Sequence, residues 1–254
     1  MTLRGAWEGE ARNWIAWARK PGHDSYWRFH RDAFLESLPE PPRGVLDGGC
    51  GEGRLPRDLQ ARGYDVVGLD GSPTLIAAAS EADPSGTYVL GDLAALPFAD
   101  ASFELVTAFM SLQDVDDPDA ALREIQRVLV PGGRIRSAIV HPMNSAGGFE
   151  AAPDAVAAPD EFATRNARAD DAPFVIRESY FEERLYVDQV ERDGLPMTFA
   201  SLHRPLERII RGFLDAGLRI DHFAEIPDVS SLPGSRWRRI PLFLHLGAEK
   251  PVRR

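Results

Sequence analysis

The run Val45-Leu46-Asp47-Gly48-Gly49-Cys50-Gly51-Glu52-Gly53-Arg54 constrains this chain more than any other stretch. Two aliphatic residues and an acid read as the end of a buried strand. The glycines behind them read as a tight turn, and a helical pattern, Leu55 to Arg62, begins at once. Glycine accepts positive φ and lets a ligand approach the main chain where a Cβ would obstruct it. The start of the new helix turns unpaired N–H groups, with their partial positive charge, toward that ligand. A strand, a glycine turn and a helix in this order therefore predict an α/β fold that holds a ligand, most naturally a cofactor.

Downstream, strands and helices alternate. Residues 44–47, 65–70, 87–90, 103–109 and 134–140 read as strands. Ser72-Pro73 opens a helix to about Ala82, with Ser at the N-cap and Pro at the first helical position. Asp117-Pro118 opens another to about Val130, stopped by Pro131-Gly132-Gly133. Strands separated by helices imply a parallel sheet covered on both faces. Beyond Val140 the pattern breaks. Pro142 to Ala172 is rich in Ala, Asp, Pro and Gly and reads as a long loop or lid. Residues 178–190 and 197–202 read as two strands around an Asp193-Gly194 turn. Leu206 to Ala216 reads as a helix stopped by Gly217, and residues 219–225 and 240–246 as two final strands. No helical pattern separates that last pair, so it is predicted antiparallel. In front of the core, residues 10–20 and 25–37 read as two helices, the second ended by Pro39, Pro41 and Pro42. The expected architecture is a doubly wound, seven-stranded, mostly parallel sheet with an antiparallel last strand. It divides into a helical cap (1–42), a core (43–141), a lid-and-hairpin insertion (142–205) and the completion of the sheet (206–254).

Composition narrows the function classes. The chain has 254 residues, 44% of them hydrophobic, enough for one substantial core. Its formal charge of −10 lacks the basic excess that phosphate-binding proteins carry, so no nucleic-acid partner is expected. Cys50 is the single cysteine, which excludes an intrachain disulfide and a cysteine metal cluster; no metal is expected. No apolar run reaches the length of a membrane span, and residues 1–20 mix Trp with Arg and Glu, unlike a signal peptide. A cytoplasmic protein, monomer or homodimer, without a membrane partner is the expectation.

Two cofactor readings compete for the glycine loop. Dinucleotide enzymes use Gly-x-Gly-x-x-Gly, with an acid about 20 positions on for the ribose. Here the spacing is Gly49-x-Gly51-x-Gly53, and Arg54 stands where the third dinucleotide glycine belongs. Asp47 beside the loop would repel a pyrophosphate and suits a ligand that carries positive charge. The second reading is a nucleoside without a pyrophosphate. Asp47-x-Gly49-x-Gly51-x-Gly53, Asp70 at the next strand end, Gly91-Asp92-Leu93 and Leu129-Val130-Pro131-Gly132-Gly133, in this order, resemble the seven-stranded class I S-adenosylmethionine-dependent methyltransferases. They are similar in particular to the bacterial small-molecule branch. The resemblance covers residues 43–140 and, by topology, the closing strands. It implies S-adenosyl-L-methionine as cofactor and S-adenosyl-L-homocysteine as product. It implies that Gly49, Gly51, Gly53 and Gly71 let the backbone approach the cofactor, and that Asp70 accepts from the ribose hydroxyls. It further implies that Asp92 accepts from the adenine amino group and that the Leu93 N–H donates to the ring, with Leu75 or Phe109 on the adenine face. Asp92 also reads simply as a turn-former after Gly91, and Cys50 as a small buried filler. Gly48 and Gln113 depart from the family, which often carries an aliphatic residue at the first place and His at the second.

Methyl transfer from a sulfonium is an in-line displacement, so the protein chiefly aligns and desolvates the reactants. An acceptor with an acidic proton also needs a base. His141, at the carboxyl end of the fifth strand, and Tyr26 are the candidate catalytic residues; His141 reads equally as a structural cap before Pro142. His30 and Gln113 are further candidate acceptor contacts. His203, at the end of the hairpin, is another, or else a structural corner. Trp7, Trp14, Trp17 and Trp27 crowd the segment before the core. They either fasten cap helices to the sheet or form a flat pocket for an aromatic acceptor. Phe181, Tyr186 and Phe199 of the hairpin would form its other wall, with Met143 and Phe149 from the lid. The stretch from Tyr180 to Lys250 resembles actinobacterial methyltransferases of secondary metabolism, some of which methylate indole carbon, so the small-molecule acceptor is expected to be aromatic.

Overall fold

The computed structural model describes residues 2–20, 22–41, 44–150, 172–227 and 238–252. Seven strands form one sheet: β1 (Val45–Gly48), β2 (Val66–Asp70), β3 (Thr87–Leu90), β4 (Phe103–Phe109), β5 (Leu129–Val140), β10 (Arg219–Ile226) and β11 (Phe243–Glu249). Their order is β10-β11-β5-β4-β1-β2-β3. The first five run parallel, and β11 lies antiparallel between β5 and β10. The order reverses at β1, between β4 and β2, and open α/β sheets bind ligands in the crevice at such a reversal. The glycine turn leaves β1 at this point.

Successive side chains of a strand face opposite sides of the sheet, and β1 shows both cores in adjacent residues. Leu46 joins the face covered by α5 (Pro118–Val128) and α7 (Leu206–Asp215), through Leu122, Ile125 and Phe213. Val45 joins the other face, covered by α3 (Arg54–Gln60) and α2 (Arg31–Glu36), through Leu55, Leu59 and Phe34. Each fully buried Leu, Ile or Phe contributes about 1.5–3 kcal/mol. Helix starts follow the expected chemistry. Ser72 Oγ accepts from Leu75 N at 3.1 Å to open α4 (Pro73–Ala82), and Asp117 Oδ1 accepts from Ala120 N at 2.9 Å to open α5.

Several parts differ from the sequence expectation, among them α5, which ends at Val128, and β5, which starts at Leu129 and runs through Pro131-Gly132-Gly133 rather than starting at residue 134. The first helix, α1, spans Leu3–Arg19 rather than starting near residue 10, because Thr2 caps it by accepting from Gly5 N. Residues 25–37 split into a π-helical turn, Tyr26–His30, and α2. Pro142–Ala146 is a short helix, α6, followed by a two-stranded ribbon of β6 (Gly148–Phe149) and β7 (Phe174–Val175); residues 151–171 of the expected lid lie outside the described residues.

The hairpin comprises β8 (Arg184–Arg192) and β9 (Leu195–His203). Its turn is Asp193-Gly194, both at positive φ, as expected. Its first strand starts six residues later than residue 178. Tyr180 instead anchors a corner: its carbonyl lies 3.0 Å from His203 Nε2, and its hydroxyl accepts from Leu206 N at 3.0 Å. The hairpin stands outside the main sheet, and α1 lies between it and α4.

Candidate functional site

α1 roofs the glycine turn because polar side chains on both sides are paired across it. Leu3 N donates to Asp116 Oδ1 at 2.7 Å, and Arg4 Nε donates to the Gly71 carbonyl at 3.0 Å. Glu8 accepts from the Ser72 and Thr74 hydroxyls, and Arg19 Nε reaches Glu52 Oε2 at 3.1 Å. Beneath this roof lies a cavity of about 480 Å³, within the range of small-molecule and cofactor sites. Its floor is the carboxyl ends of β1, β2 and β4, and its far wall is the hairpin.

Part of the cavity lining is built from backbone and carboxylates. Gly49 has φ +78°, and a Cβ there would stand 2.3 Å from Ser111 Cβ, so only glycine fits. Asp70 Oδ2 accepts from Gly51 N at 2.8 Å, and Oδ1 accepts from Ser72 N at 2.9 Å. An ionised carboxylate has about four acceptor positions, so two remain for hydroxyls in the cavity. Burial pushes the Asp70 carboxyl above its ordinary value. Asp47 is buried, accepts from Thr107 Oγ1 at 2.6 Å, and is raised to about 7 by burial, with the Asp70 charge adding to the rise. Gly71, Asp92, Leu93 and Phe109 also line the cavity. Asp92 closes a turn, its Oδ1 accepting from Ala94 N at 2.8 Å, and Arg4 stands 3.7 Å from Oδ2. Leu93 explains Gly48: a Cβ at 48 would lie 2.6 Å from Leu93 Cδ1, so the leucine occupies the space an aliphatic residue would take.

Gly53 is a correction. It does not line the cavity; it is the αL cap of α3, and a Cβ there would press on Ala79 and Tyr88 at 3.0 Å. Its role is helix packing. Arg54 lines the cavity on its cap side, with Asp24 and Tyr26. Its guanidinium sits 4.1 Å from the centre of the Tyr26 ring and pairs with Asp24 at 2.5 Å.

An aromatic cluster lines the same cavity and reaches the glycine turn, where Trp14 Nε1 would stand 3.4 Å from a Cβ at Gly51. Trp7 and Trp14 meet edge to face at 5.8 Å, and Phe199 of β9 lies 6.2 Å from each and from Trp17. Tyr186 and Ser201, paired in register across the hairpin, and Asp114 and Gln113 complete this part of the lining. Trp14, Tyr26, Gln113 and Tyr186 are thus brought to one cavity, together with Phe199.

Several expected contacts are not. His141 does not line the cavity. It caps α6, its Nδ1 accepting from Met143 N at 3.0 Å, while Nε2 lies 3.1 Å from Glu225 Oε1; burial lowers its pKa. His203 is buried at the hairpin corner between Ser145 Oγ (2.7 Å) and the Tyr180 carbonyl. His30 is buried against Phe243 and pairs with His245, Nδ1 to Nε2, at 3.1 Å. Phe181 is 81% exposed and precedes β8. Phe149 packs on Phe174 away from the cavity, and Met143 does not line it either. Tyr26 reaches the cavity, but its hydroxyl donates to Asp58 Oδ2 at 2.5 Å, outside it. Burial and the Asp58 charge raise the phenol far above its ordinary value, so it is no base at neutral pH. In each histidine both ring nitrogens, or the burial around them, serve packing.

Sequence reasoning missed Asp114, on a 3-10 turn Leu112–Asp114 directly after β4. Ser201 Oγ donates to its Oδ1 at 2.5 Å and Gln113 Nε2 to its Oδ2 at 3.3 Å. Burial raises its carboxyl to about 8. The available signal was its position behind the fourth strand, level with the glycine turn.

The seven-stranded sheet has the fold of solved S-adenosylmethionine-dependent methyltransferases. Residues 46–136 match the family model of a methyltransferase domain. A demethylmenaquinone methyltransferase of Beutenbergia cavernae is 40% identical over 115 residues, 45% of this chain and 47% of that protein. A malonyl-[acyl-carrier protein] O-methyltransferase of Pseudescherichia vulneris is 36% identical over 117 residues, 44% and 47% of the two chains. The chain thus spans about half the length of the curated relatives it matches. Among solved structures, an S-adenosylmethionine-dependent methyltransferase from Mesorhizobium loti superposes with a TM-score of 0.68 at 23% identity, over 89% of this chain and 98% of that one. No helix among the described residues is long and apolar enough to cross a membrane.

Proposed function

We propose that this chain is an S-adenosyl-L-methionine-dependent methyltransferase that acts on a small aromatic acceptor, an indole-type ring among the candidates. The observation that carries the reading is one cavity whose lining brings two kinds of chemistry together. A glycine turn with Asp70 and Asp92 suits a nucleoside, and a Trp7–Trp14–Phe199 box suits a flat ring. The cofactor supplies an electrophilic methyl group. The residues of the chain bind, orient and exclude water: Asp70 takes the ribose hydroxyls, and Asp47 and Asp70 favour a cationic ligand over a pyrophosphate. A nicotinamide cofactor fits poorly, because the loop spacing and Asp47 oppose its pyrophosphate. The same reading makes residues 1–41 and the hairpin the acceptor-binding parts of a cytoplasmic monomer or homodimer.

Calorimetry with S-adenosylhomocysteine and, separately, NADH tests it. Binding of the first and not the second is expected. Binding of NADH alone overturns the reading.

A further inference from the structure

The aromatic part of the cavity lining also presents hydrogen-bond acceptors. Gln113 Nε2 points at Asp114, which fixes the amide so that Oε1 faces elsewhere. That oxygen is buried and has no hydrogen-bond partner among the described residues. Asp114 itself is held from the hairpin by Ser201. The Trp7 indole N–H addresses the same carboxylate as Ser201 and Gln113, which leaves about one of its four acceptor positions open. A buried acceptor left unpaired costs about 1–3 kcal/mol, so a ligand that brings a donor here gains what one without a donor cannot.

Resting on the methyltransferase reading, we infer that Asp114 accepts the N–H or O–H of the aromatic acceptor and takes up its proton as the methyl group arrives. The step balances. The bond between sulfur and the methyl carbon breaks and its electron pair stays on sulfur. The acceptor forms the new bond to carbon, and its acidic proton passes to the Asp114 carboxylate. Geometry favours Asp114 over His30, His141 and His203, none of which lines the cavity; His23 does line it, with Nε2 3.0 Å from Asp193 Oδ2 at the hairpin turn. The site also suits the chemistry electrostatically. A carboxyl raised to about 8 is close to the pH at which it must act, where a general base is most effective. The titratable groups turned to this part of the cavity are Tyr186 and Asp188 on β8, Asp70 at the end of β2, Asp116 in the following loop and Arg4 on α1.

The test compares indole with 1-methylindole, which has the same ring but no N–H donor. Wild-type protein loaded with S-adenosylhomocysteine is expected to bind indole about tenfold more tightly than 1-methylindole, the equivalent of one paired donor. Asp114→Asn keeps the oxygen that Ser201 addresses. It is expected to bring the two probes within about threefold and to slow single-turnover transfer of labelled methyl to indole by about 100-fold or more. Its affinity for S-adenosylhomocysteine stays at the wild-type value, which shows that the variant is folded. An unchanged indole preference in the variant, transfer at the wild-type rate, or no binding of either probe to the loaded wild type overturns the assignment. Failure of S-adenosylhomocysteine to bind the wild type is a separate result, and it removes the methyltransferase reading and this inference together.

Discussion

Two sets of residues line the cavity, and they are built in opposite ways. At the glycine turn, consecutive residues and the ends of adjacent strands do everything: Gly49 fits beneath Ser111, and Asp70 gathers Gly51 N and Ser72 N from either side. In the aromatic set nothing is local. Trp7 and Trp14 come from α1, Asp114 from behind β4, and Phe199 and Ser201 from a hairpin outside the sheet. The first set is defined by backbone, which tolerates almost no change. The second is defined by side chains meeting at a distance in sequence, which can be exchanged to suit a different acceptor. The comparison teaches that cofactor and acceptor recognition in this fold should respond to mutation separately.

The largest effect is expected from Gly49→Ala. It forces a Cβ into Ser111 and an L-residue into φ +78°. Strain and overpacking together should cost about 3–4 kcal/mol in denaturant unfolding, with loss of S-adenosylhomocysteine binding. A stable variant that binds normally would break the view that the glycine turn is inflexible.

Acid should act next, through a place where the cap segment meets the sheet by two buried histidines. His30 and His245 are both buried and neutral; burial puts His245 at about 4 and His30 well below its ordinary value. Both folded values lie below the unfolded one near 6.5. The unfolded chain therefore takes up protons first, and stability is lost as pH falls from about 6.5 toward 4. His245 alone accounts for up to about 3 kcal/mol. Unfolding curves at pH 7.5 and 4.5 measure this, and His245→Gln should flatten the dependence. A slope that is the same in the variant would remove the pair from acid sensitivity.

Asp70→Ala follows. It deletes the carboxylate proposed to take the ribose hydroxyls and leaves two backbone donors without a partner. S-adenosylhomocysteine affinity should fall by about 10- to 100-fold, with indole binding changed only as far as cofactor occupancy dictates.

The same division governs what could be read from the sequence. The sheet, its order of helices and its antiparallel close were legible because short-range signals set them: Ser72-Pro73 and Asp117-Pro118 open helices, and strands as short as Thr87–Leu90 lie between clear breaks. The glycine turn that places Asp47, Gly49, Gly51 and Asp70 in the cavity lining is set by the same short-range signals. The histidines misled because reactivity was judged by residue type and strand end. Burial and partners such as Ser145, Glu225 and His245 arise only from tertiary contacts. Asp114 was overlooked because its surroundings come from three distant segments. Phe181 failed because a strand assumed to begin at 178 begins at 184, beyond the Tyr180 corner.

Phe199→Leu should have the smallest effect and is the sharpest probe of the aromatic set. Leucine keeps most of the volume, so α1 stays docked on β9, but the edge-to-face contacts with Trp7, Trp14 and Trp17 disappear. Such contacts are worth about 0.5–1.5 kcal/mol each beyond buried area and do not add fully when they share one ring. Stability should fall by about 1 kcal/mol, and indole affinity by about fivefold, the share of a single aromatic wall. S-adenosylhomocysteine affinity should not move, because no cofactor contact passes through β9. Equal losses for both ligands would mean that Phe199 acts on the cavity as a whole by positioning α1. The two sets would then be one cooperative unit, and acceptor specificity could not be altered without disturbing the cofactor site.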